Sequence, residues 1–174
     1  MKACEQAPGL STYDHGLQVS SMFKRLIAGE LHEFLPGCLL ESFSEFKDRL
    51  LHEEILETYQ ILHDIGKYAC LTIDDQGRRH FPNHAEVSAK IWRESDGNPI
   101  IGELIRRDMD MHTMKSLELE GYDRLDLAPS LLLTAWAEIF ANAEMFGGRE
   151  SISFKMKYKS LSRATRAIRK AIKI

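Results

Sequence analysis

A histidine followed at once by an aspartate, His63-Asp64, lies at the end of an apolar helical pattern in the string YQILHDIGKY. An imidazole and a carboxylate at the end of a buried helix are costly unless they pair or bind a metal ion. The dipeptide alone is a weak signal, and a hydrogen-bonded core histidine is the simpler interpretation of it. Adjacent helical residues point about 100° apart, so a metal site here needs further ligands from other helices.

Four further side chains of metal-ligand type occur along the chain in helical contexts. His15 stands near the start of a helical pattern in TYDHGLQVS, and His84 opens another in FPNHAEVSA. His112 lies in MDMHTMK, and Glu138 is the single acid of the apolar segment LLLTAWAEIFANA. The remaining histidines neighbour charged residues, which predicts surface positions for His32, His52 and His80.

The motif His-Asp-x-Gly-Lys, at His63, Asp64, Gly66 and Lys67, resembles the central signature of the HD-domain metal-dependent phosphohydrolase superfamily. The four further ligand-type residues follow the order that this family shows, and the resemblance covers about residues 11–147. Residues 62–115 are similar to the HD domain of bacterial tRNA nucleotidyltransferases, in which a short acidic turn with a glycine also leads into a histidine-bearing helix.

The resemblance implies that one or two divalent metal ions are bound. His15, His63, Asp64 and Glu138 would hold the first ion, and His84 and His112 the second, with Asp64 bridging. Imidazole and carboxylate together suit Mn, Fe, Co, Ni or Zn, and Mg is also included. The family normally has aspartate where this chain has Glu138, so the longer side chain must shift its helix or its metal distance. The alternative is that Glu138 pairs with a basic residue and a water takes its place on the metal.

The resemblance also assigns catalytic and substrate-binding residues. Asp64 and Lys67 are the catalytic candidates: Asp64 as the bridging ligand, Lys67 as the cation that neutralises phosphate charge in the transition state. Substrate contacts are expected from Lys67, Asn142, Lys115 and Arg79. For Lys115 and Arg79 the competing interpretation is solvated surface charge, and for Asn142 it is a core or helix-cap hydrogen bond.

The implied function is hydrolysis of a phosphomonoester or phosphodiester by metal-activated water. The substrate would be a nucleotide or an RNA end, with 2′,3′-cyclic phosphodiesterase and 2′-phosphatase activity. Two alternatives stay open. One is a small-nucleotide hydrolase, such as a nucleoside monophosphatase or a guanosine-tetraphosphate hydrolase. The other is a non-catalytic nucleotide-binding or signalling module, although this chain keeps every histidine that the family uses.

The elements that must position these residues are helical over nearly the whole chain, because strand-type alternation is almost absent. Ser11 with Asp14 three residues later predicts a helix start. Asn98-Pro99 predicts another helix start, and Asn83 predicts a cap for a helix that begins at His84.

The fold expected from this pattern is an all-α, HD-domain helical bundle of about six to eight helices. We predict one domain over 1–174, with a motif-bearing part at about 11–147 and a basic C-terminal helix at about 160–172.

Composition narrows the class of protein. The chain has 174 residues, 44% of them hydrophobic, which suits a folded domain with a real core. Three scattered cysteines argue against a disulfide framework, and no apolar run is long enough to predict a membrane span. We therefore expect a soluble, reduced, cytoplasmic protein.

The net charge of −3 conceals an uneven distribution. Eight of the 23 Lys and Arg residues lie in residues 155–174, which contain no acid, so the remainder of the chain is acidic. An acidic body attracts metal cations, whereas a basic segment can contact nucleic acid. For the C-terminal helix we expect a solvated basic face in preference to a nucleic-acid contact, because no aromatic residues for base stacking lie within 160–174.

Overall fold

A computed structural model describes residues 1–7 and 9–174. The chain forms two compact units. The first comprises Met1–Ser20 and Glu53–Asp108, and the second comprises Ser21–His52 and Met109–Ile174. The expectation of a single domain over 1–174 stays a prediction.

Helices dominate both units. Eleven α-helices occur in the described residues, and six of them have eight or more residues, so the all-α prediction is confirmed. They are α1 (Thr12–Ile27), α2 (Gly37–Leu40), α3 (Phe43–Lys47), α4 (Glu53–Leu62), α5 (Lys67–Cys70), α6 (His84–Glu94), α7 (Pro99–Arg106), α8 (Asp110–Thr113), α9 (Ser116–Glu120), α10 (Ala128–Ala141) and α11 (Ile152–Ile172). None of these helices has both the length and the apolar character that crossing a membrane requires.

Two small antiparallel hairpins belong to the first unit. Strand β1 (Glu5–Ala7) pairs with β2 (Leu10–Ser11), with Glu5 opposite Ser11. Strand β3 (Thr72–Ile73) pairs with β4 (Arg79–His80), with Thr72 opposite His80.

Helix starts and ends follow local signals in most places. Ser11 Oγ accepts a hydrogen bond from the Asp14 backbone N–H at 3.1 Å, which confirms the predicted start of α1. Asn98 Oδ1 accepts from the Ile100 backbone N–H at 2.9 Å at the start of α7. The cap predicted for α6 is wrong, because Asn83 adopts a left-handed conformation (φ 53°) and its side chain makes no capping bond. The helix nevertheless begins at His84.

The core of the first unit lies between four helices. Helices α4 and α6 both pack against α7, and α5 packs against α6. The buried side chains that fill this contact are apolar or aromatic and include Leu56, Tyr59, Ala89, Leu104 and Ile105. The packing fixes the ends of α4, α5 and α6, where the ligand-type residues lie.

The second unit is built around α10. Twelve of its 14 residues are buried, so the helix is apolar on nearly every side, as expected of a central helix. It packs against α3, α8 and α11, and the Trp136 indole N–H donates to Thr165 Oγ at 3.1 Å. This environment explains why an acid on α10 is unusual and why Glu138 stands out.

Helix α11 is longer than the sequence predicts. It begins at Ile152 and not near residue 160, because Ser151 Oγ accepts from the Phe154 N–H at 3.1 Å and caps the helix there. Phe154 is buried, and its ring centre lies 5.9 Å from that of Phe140. This packing holds the first two turns, which the apolar stripe of residues 161–172 alone does not reveal.

Candidate metal centre

Asp64 is the centre of a group of buried or partly buried basic side chains in the first unit. It lies in the turn between α4 and α5, and its side chain is 1% exposed. Four basic nitrogens approach its carboxylate. Lys67 Nζ is 2.6 Å and His63 Nε2 is 3.2 Å from Oδ2, His84 Nε2 is 3.7 Å from Oδ1, and His15 Nε2 is 3.8 Å from Oδ2. We call these five residues the Asp64 cluster.

His15 reaches this cluster because α1 and α4 approach each other very closely. The residue after His15 is Gly16, and a Cβ added there would overlap the backbone carbonyl of Ile61 on α4. Only glycine permits this approach of two backbones. As a result, the rings of His15 and His63 meet edge to face, with their centres 5.3 Å apart.

His84 reaches the cluster through a second close approach. A Cβ on Gly66 would lie 2.5 Å from the backbone nitrogen of Ser88, so glycine is required where α5 begins against α6. The Gly66 N–H donates to Ser88 Oγ at 2.9 Å. Ser88 is therefore a buried hydrogen-bond acceptor that holds the start of α5 against α6.

The orientation of two imidazole rings is set by backbone carbonyls. His63 Nδ1 lies 2.8 Å from the Gln60 carbonyl oxygen, and His84 Nδ1 lies 3.1 Å from the Phe81 carbonyl oxygen. A carbonyl oxygen only accepts, so each Nδ1 carries the hydrogen. Nε2 is the nitrogen that faces Asp64 in both residues, and in the neutral ring, which is the form that binds a metal ion, Nε2 carries the lone pair. This is the ring orientation that metal-ligating histidines adopt.

The electrostatics of the cluster favour an ionised carboxylate. Burial by itself would raise the pKa of Asp64, but the charges of His63, Lys67 and His15 hold this pKa well below its ordinary value. Asp64 Oδ1 is buried and accepts no hydrogen bond from the described residues. The donor set therefore fits a divalent cation, with imidazole nitrogens and a carboxylate oxygen that retains acceptor capacity.

Lys67 is buried beside Asp64, with a relative exposure of 8%. Its ammonium group donates to Asp64 Oδ2 at 2.6 Å and to Gln6 Oε1 at 2.9 Å, and it lies 5.3 Å from the centre of the Phe81 ring. Its predicted contact with a phosphate stays a prediction. The amine is held within a few ångströms of the carboxylate that the resemblance names as the bridging ligand.

The second unit contains a separate pair of ligand-type residues. His112 on α8 places Nε2 3.0 Å from Glu138 Oε2, and Asn142 Nδ2 donates to Glu138 Oε1 at 3.4 Å. Both side chains of the His112–Glu138 pair are largely buried, as is Asn142. The expected ligand and substrate roles of these three residues stay predictions. Within this unit, Glu138 is held by the His112 imidazole and the Asn142 amide.

The other substrate candidates are exposed. Arg79 donates through Nη2 to Glu5 Oε2 and through Nη1 to the Glu5 carbonyl, each at 3.0 Å. Lys115 is exposed at the start of α9, where its backbone N–H donates to Glu118. His52 and His80 are exposed as predicted, whereas His32 is half-buried, its ring 4.5 Å from that of Phe43.

Sequence reasoning missed two polar residues near the cluster. Gln6 contacts Lys67 from a strand 61 positions earlier, and no motif marks it. Tyr59 is one turn before His63, and its hydroxyl donates to the buried Asp108 at 2.6 Å. The Tyr59 ring lies 6.3 Å from that of His63, so this bond also limits how the histidine can move.

The comparisons with known proteins agree with this geometry at the level of the family. Residues 12–143 match the model of the HD domain, from the first residue of α1 to just beyond α10. No curated protein and no solved structure matches the chain. The match spans well over half of the chain and includes the Asp64 cluster. The chain therefore belongs to the HD-domain family of metal-dependent phosphohydrolases.

Proposed function

We propose that this protein hydrolyses phosphate esters of nucleotides or RNA ends, with 2′,3′-cyclic phosphodiesterase and 2′-phosphatase activity. The observation that carries the proposal is the arrangement of nitrogens around Asp64. Two backbone carbonyls turn Nε2 of His63 and His84 towards one buried carboxylate. Family membership connects such a set with metal-dependent phosphate chemistry.

The ligands in the first unit are His15, His63, Asp64 and His84. His112 and Glu138 are proposed as further ligands on the basis of the resemblance and of their own buried pair. A bound divalent cation would supply Lewis acidity, polarising the phosphoryl group and lowering the pKa of an attacking water.

The chain's own residues would then bind and neutralise the phosphate. Hydrolysis forms a bond from the water oxygen to phosphorus and breaks the bond to the ester oxygen, which takes up a proton. Negative charge spreads over the phosphoryl oxygens during this exchange, so a fixed cation nearby stabilises the transition state. Lys67 is proposed for this role, since its ammonium is buried and fixed in place. Asn142, Lys115 and Arg79 are proposed as weaker contacts to the rest of the substrate.

The choice of a 2′,3′-cyclic or 2′-phosphate rests on the similarity of residues 62–115 to the HD domain of tRNA nucleotidyltransferases. In this segment a glycine-containing acidic turn, seen as the β3–β4 hairpin, precedes the helix that carries His84. The same similarity supports RNA ends as well as mononucleotides.

The test combines metal analysis with a substrate panel. Purified protein would be loaded with Mn, Fe, Co, Ni, Zn or Mg and supplied with 2′,3′-cyclic, 2′-, 3′- and 5′-nucleotides. We expect bound metal and fastest turnover of the cyclic and 2′ substrates. Exclusive turnover of 5′-nucleotides would replace the proposal with a nucleoside monophosphatase. Nucleotide binding without turnover under any metal would indicate a non-catalytic module.

A further inference from the structure

The side chain of Gln6 makes the second polar contact to Lys67. Lys67 Nζ donates to Asp64 Oδ2 at 2.6 Å and to Gln6 Oε1 at 2.9 Å. Asp64 lies on the same turn of chain as Lys67, whereas Gln6 belongs to strand β1. The ammonium group is thus held between two acceptors that reach it from distant parts of the sequence.

Two acceptors restrict a lysine far more than one. The lysine side chain has a long flexible stem, and its ammonium group is a compact charge with three donors. A single ion pair leaves the nitrogen free to swing about its acceptor, whereas a second acceptor in another direction fixes it. The face of the Phe81 ring, 5.3 Å away, adds a third favourable contact for the charge.

Strand β1 is itself held firmly enough to serve as an anchor. Glu5, the residue before Gln6, binds Arg79 of β4 through its carboxylate and through its backbone carbonyl. Cys4 directly precedes this strand, and its carbonyl accepts from the Thr12 N–H at 2.8 Å, which joins the beginning of the strand to the start of α1. Gln6 therefore sits between two fixed points of the first unit.

We propose that Gln6 is a positioning residue that holds the Lys67 ammonium beside Asp64 in the orientation that meets the phosphate. The inference rests on the proposed function for its kinetic consequence, but the placement of the ammonium can be measured without turnover. Gln6 contributes no charge, so its effect on catalysis passes entirely through Lys67.

The first experiment measures the ammonium group directly. Protein carrying 15N-labelled lysine would be studied by NMR, and the Lys67 ammonium signal assigned by its loss in Lys67→Met. We expect slow hydrogen exchange in the wild type and at least a roughly tenfold increase in Gln6→Met, which has similar length but no acceptor. Gln6→Glu, which restores an acceptor oxygen, should return exchange towards the wild-type rate. Gln76→Met, the same change in the exposed β3–β4 turn, should have no effect. An unchanged Lys67 signal in Gln6→Met would overturn the proposal.

The second experiment is kinetic and separates positioning from general stability. In Gln6→Met we expect kcat to fall about tenfold with little change in KM, since the misplaced charge acts mainly on the transition state. In the Lys67→Met background the same change should have no further effect. An additional loss of kcat in that background would assign Gln6 a merely structural role and overturn the proposal. If the wild type hydrolyses no phosphate ester, the proposed function fails, while the exchange measurement still decides whether Gln6 positions Lys67.

Discussion

Two histidine–aspartate pairs in the first unit place the same chemical groups in different surroundings. His80 Nε2 lies 2.9 Å from Asp74 Oδ2 in the β3–β4 hairpin, closer than the 3.2 Å between His63 Nε2 and Asp64 Oδ2. The hairpin pair is open to solvent, with 52% of the His80 side chain and 26% of the Asp74 side chain exposed. Distance alone therefore does not distinguish a candidate metal site from a surface ion pair.

The difference lies in how the acceptor capacity of each carboxylate is used. Asp74 accepts from His80, from the Arg78 side chain at 2.7 Å and from the backbone N–H groups of Gln76 and Arg78. These hydrogen bonds, from His80 first, hold the pKa of Asp74 below its ordinary value. Local loop geometry thus satisfies both of its oxygens.

Asp64 reaches a low pKa by another route, because nearby positive charges outweigh the effect of burial. It keeps one buried oxygen, Oδ1, that accepts no hydrogen bond from the described residues. A buried acceptor of this kind is what a cation would complete, and the exposed pair offers none.

The largest difference between the two histidine–aspartate pairs is expected when the carboxylate of each is neutralised in turn. Asp64→Asn should lower turnover of the phosphate substrate by on the order of 10²–10³-fold, because it removes charge from the reacting centre. Bound metal should fall with it, measured on the same samples by mass spectrometry. Asp74→Asn is the matched control and should leave both quantities near the wild-type values. Wild-type turnover by a folded Asp64→Asn protein would contradict the assignment of Asp64 as a ligand.

A second comparison replaces one glycine by alanine in each region, beside the Asp64 cluster and in the β3–β4 hairpin. Gly66→Ala places a Cβ 2.5 Å from the Ser88 backbone, which cannot move aside easily, and should cost about 3 kcal/mol of unfolding free energy. Gly77→Ala in the hairpin turn meets no atom within 4 Å, and its positive φ should cost about 1 kcal/mol.

Metal content makes this contrast sharper than stability alone. Gly66→Ala should also reduce metal binding, because α6 carries His84 and must shift. Urea denaturation and metal analysis of both variants provide the check. Equal losses of stability with metal content intact in both would remove the distinction between the regions.

Glu103 on α7 is a carboxylate of intermediate burial, with 24% of its side chain exposed, and its ion pairs with arginines make stability depend on pH. Hydrogen bonds from Arg106, opposed by partial burial and assisted by Arg107, lower the pKa of Glu103 from 4.5 to about 2. A depressed folded-state pKa gives stability that is fully present above pH 4.5 and is lost as the pH falls towards 2.

The expected outcome is a pH-dependent difference between wild type and Glu103→Gln. At neutral pH the variant should be less stable by about 1–2 kcal/mol after allowance for solvent screening, and the difference should shrink between pH 4.5 and 2. Glu94→Gln, which breaks an exposed 3.8 Å pair with Lys90, is the control and should show no such trend. Denaturant titrations across this pH range would measure the difference in unfolding free energy between wild type and Glu103→Gln. A difference that stays constant with pH would contradict a contribution of the Glu103 pKa to stability.

The smallest effect is expected on the basic face of α11. Lys159, Arg163 and Arg166 are exposed at helical spacing and make no ion pair with a described residue, whereas Lys170 pairs with Glu120 and Arg169 with Glu41. As solvated charges, the three should be replaceable by glutamine with no change in turnover of mononucleotides or oligonucleotides.

Salt dependence offers the sharpest check of that expectation. If these cations guide a nucleic acid, oligonucleotide turnover should fall with salt at a log–log slope of about −0.7 per contacted phosphate, and the triple variant should lose that slope. A selective loss on oligonucleotides would show that this exposed face has a function after all.

Local sequence signals identified the beginnings of helices and the central motif. Ser11 with Asp14 and Asn98-Pro99 were sufficient because their capping bonds join residues only two or three positions apart. The cap predicted at Asn83 was wrong because the backbone there is left-handed and the side chain makes no capping hydrogen bond. Helix α11 was predicted too short because the Ser151 cap was overlooked and because the packing of Phe154 on Phe140 of the preceding helix lies outside the apolar stripe of residues 161–172.

The sequence by itself determined the residue types of the candidate site: His63-Asp64 with Gly66 and Lys67, and the order of the remaining histidines. Only the tertiary structure decided how these groups meet in the first unit. The backbone approaches at Gly16 and Gly66, the carbonyls that orient His63 and His84, and the contact of Gln6 with Lys67 depend on the path of the whole chain. Helical periodicity is set by interactions within one turn, whereas these contacts are set by how separate elements pack, and no short pattern in the sequence records that.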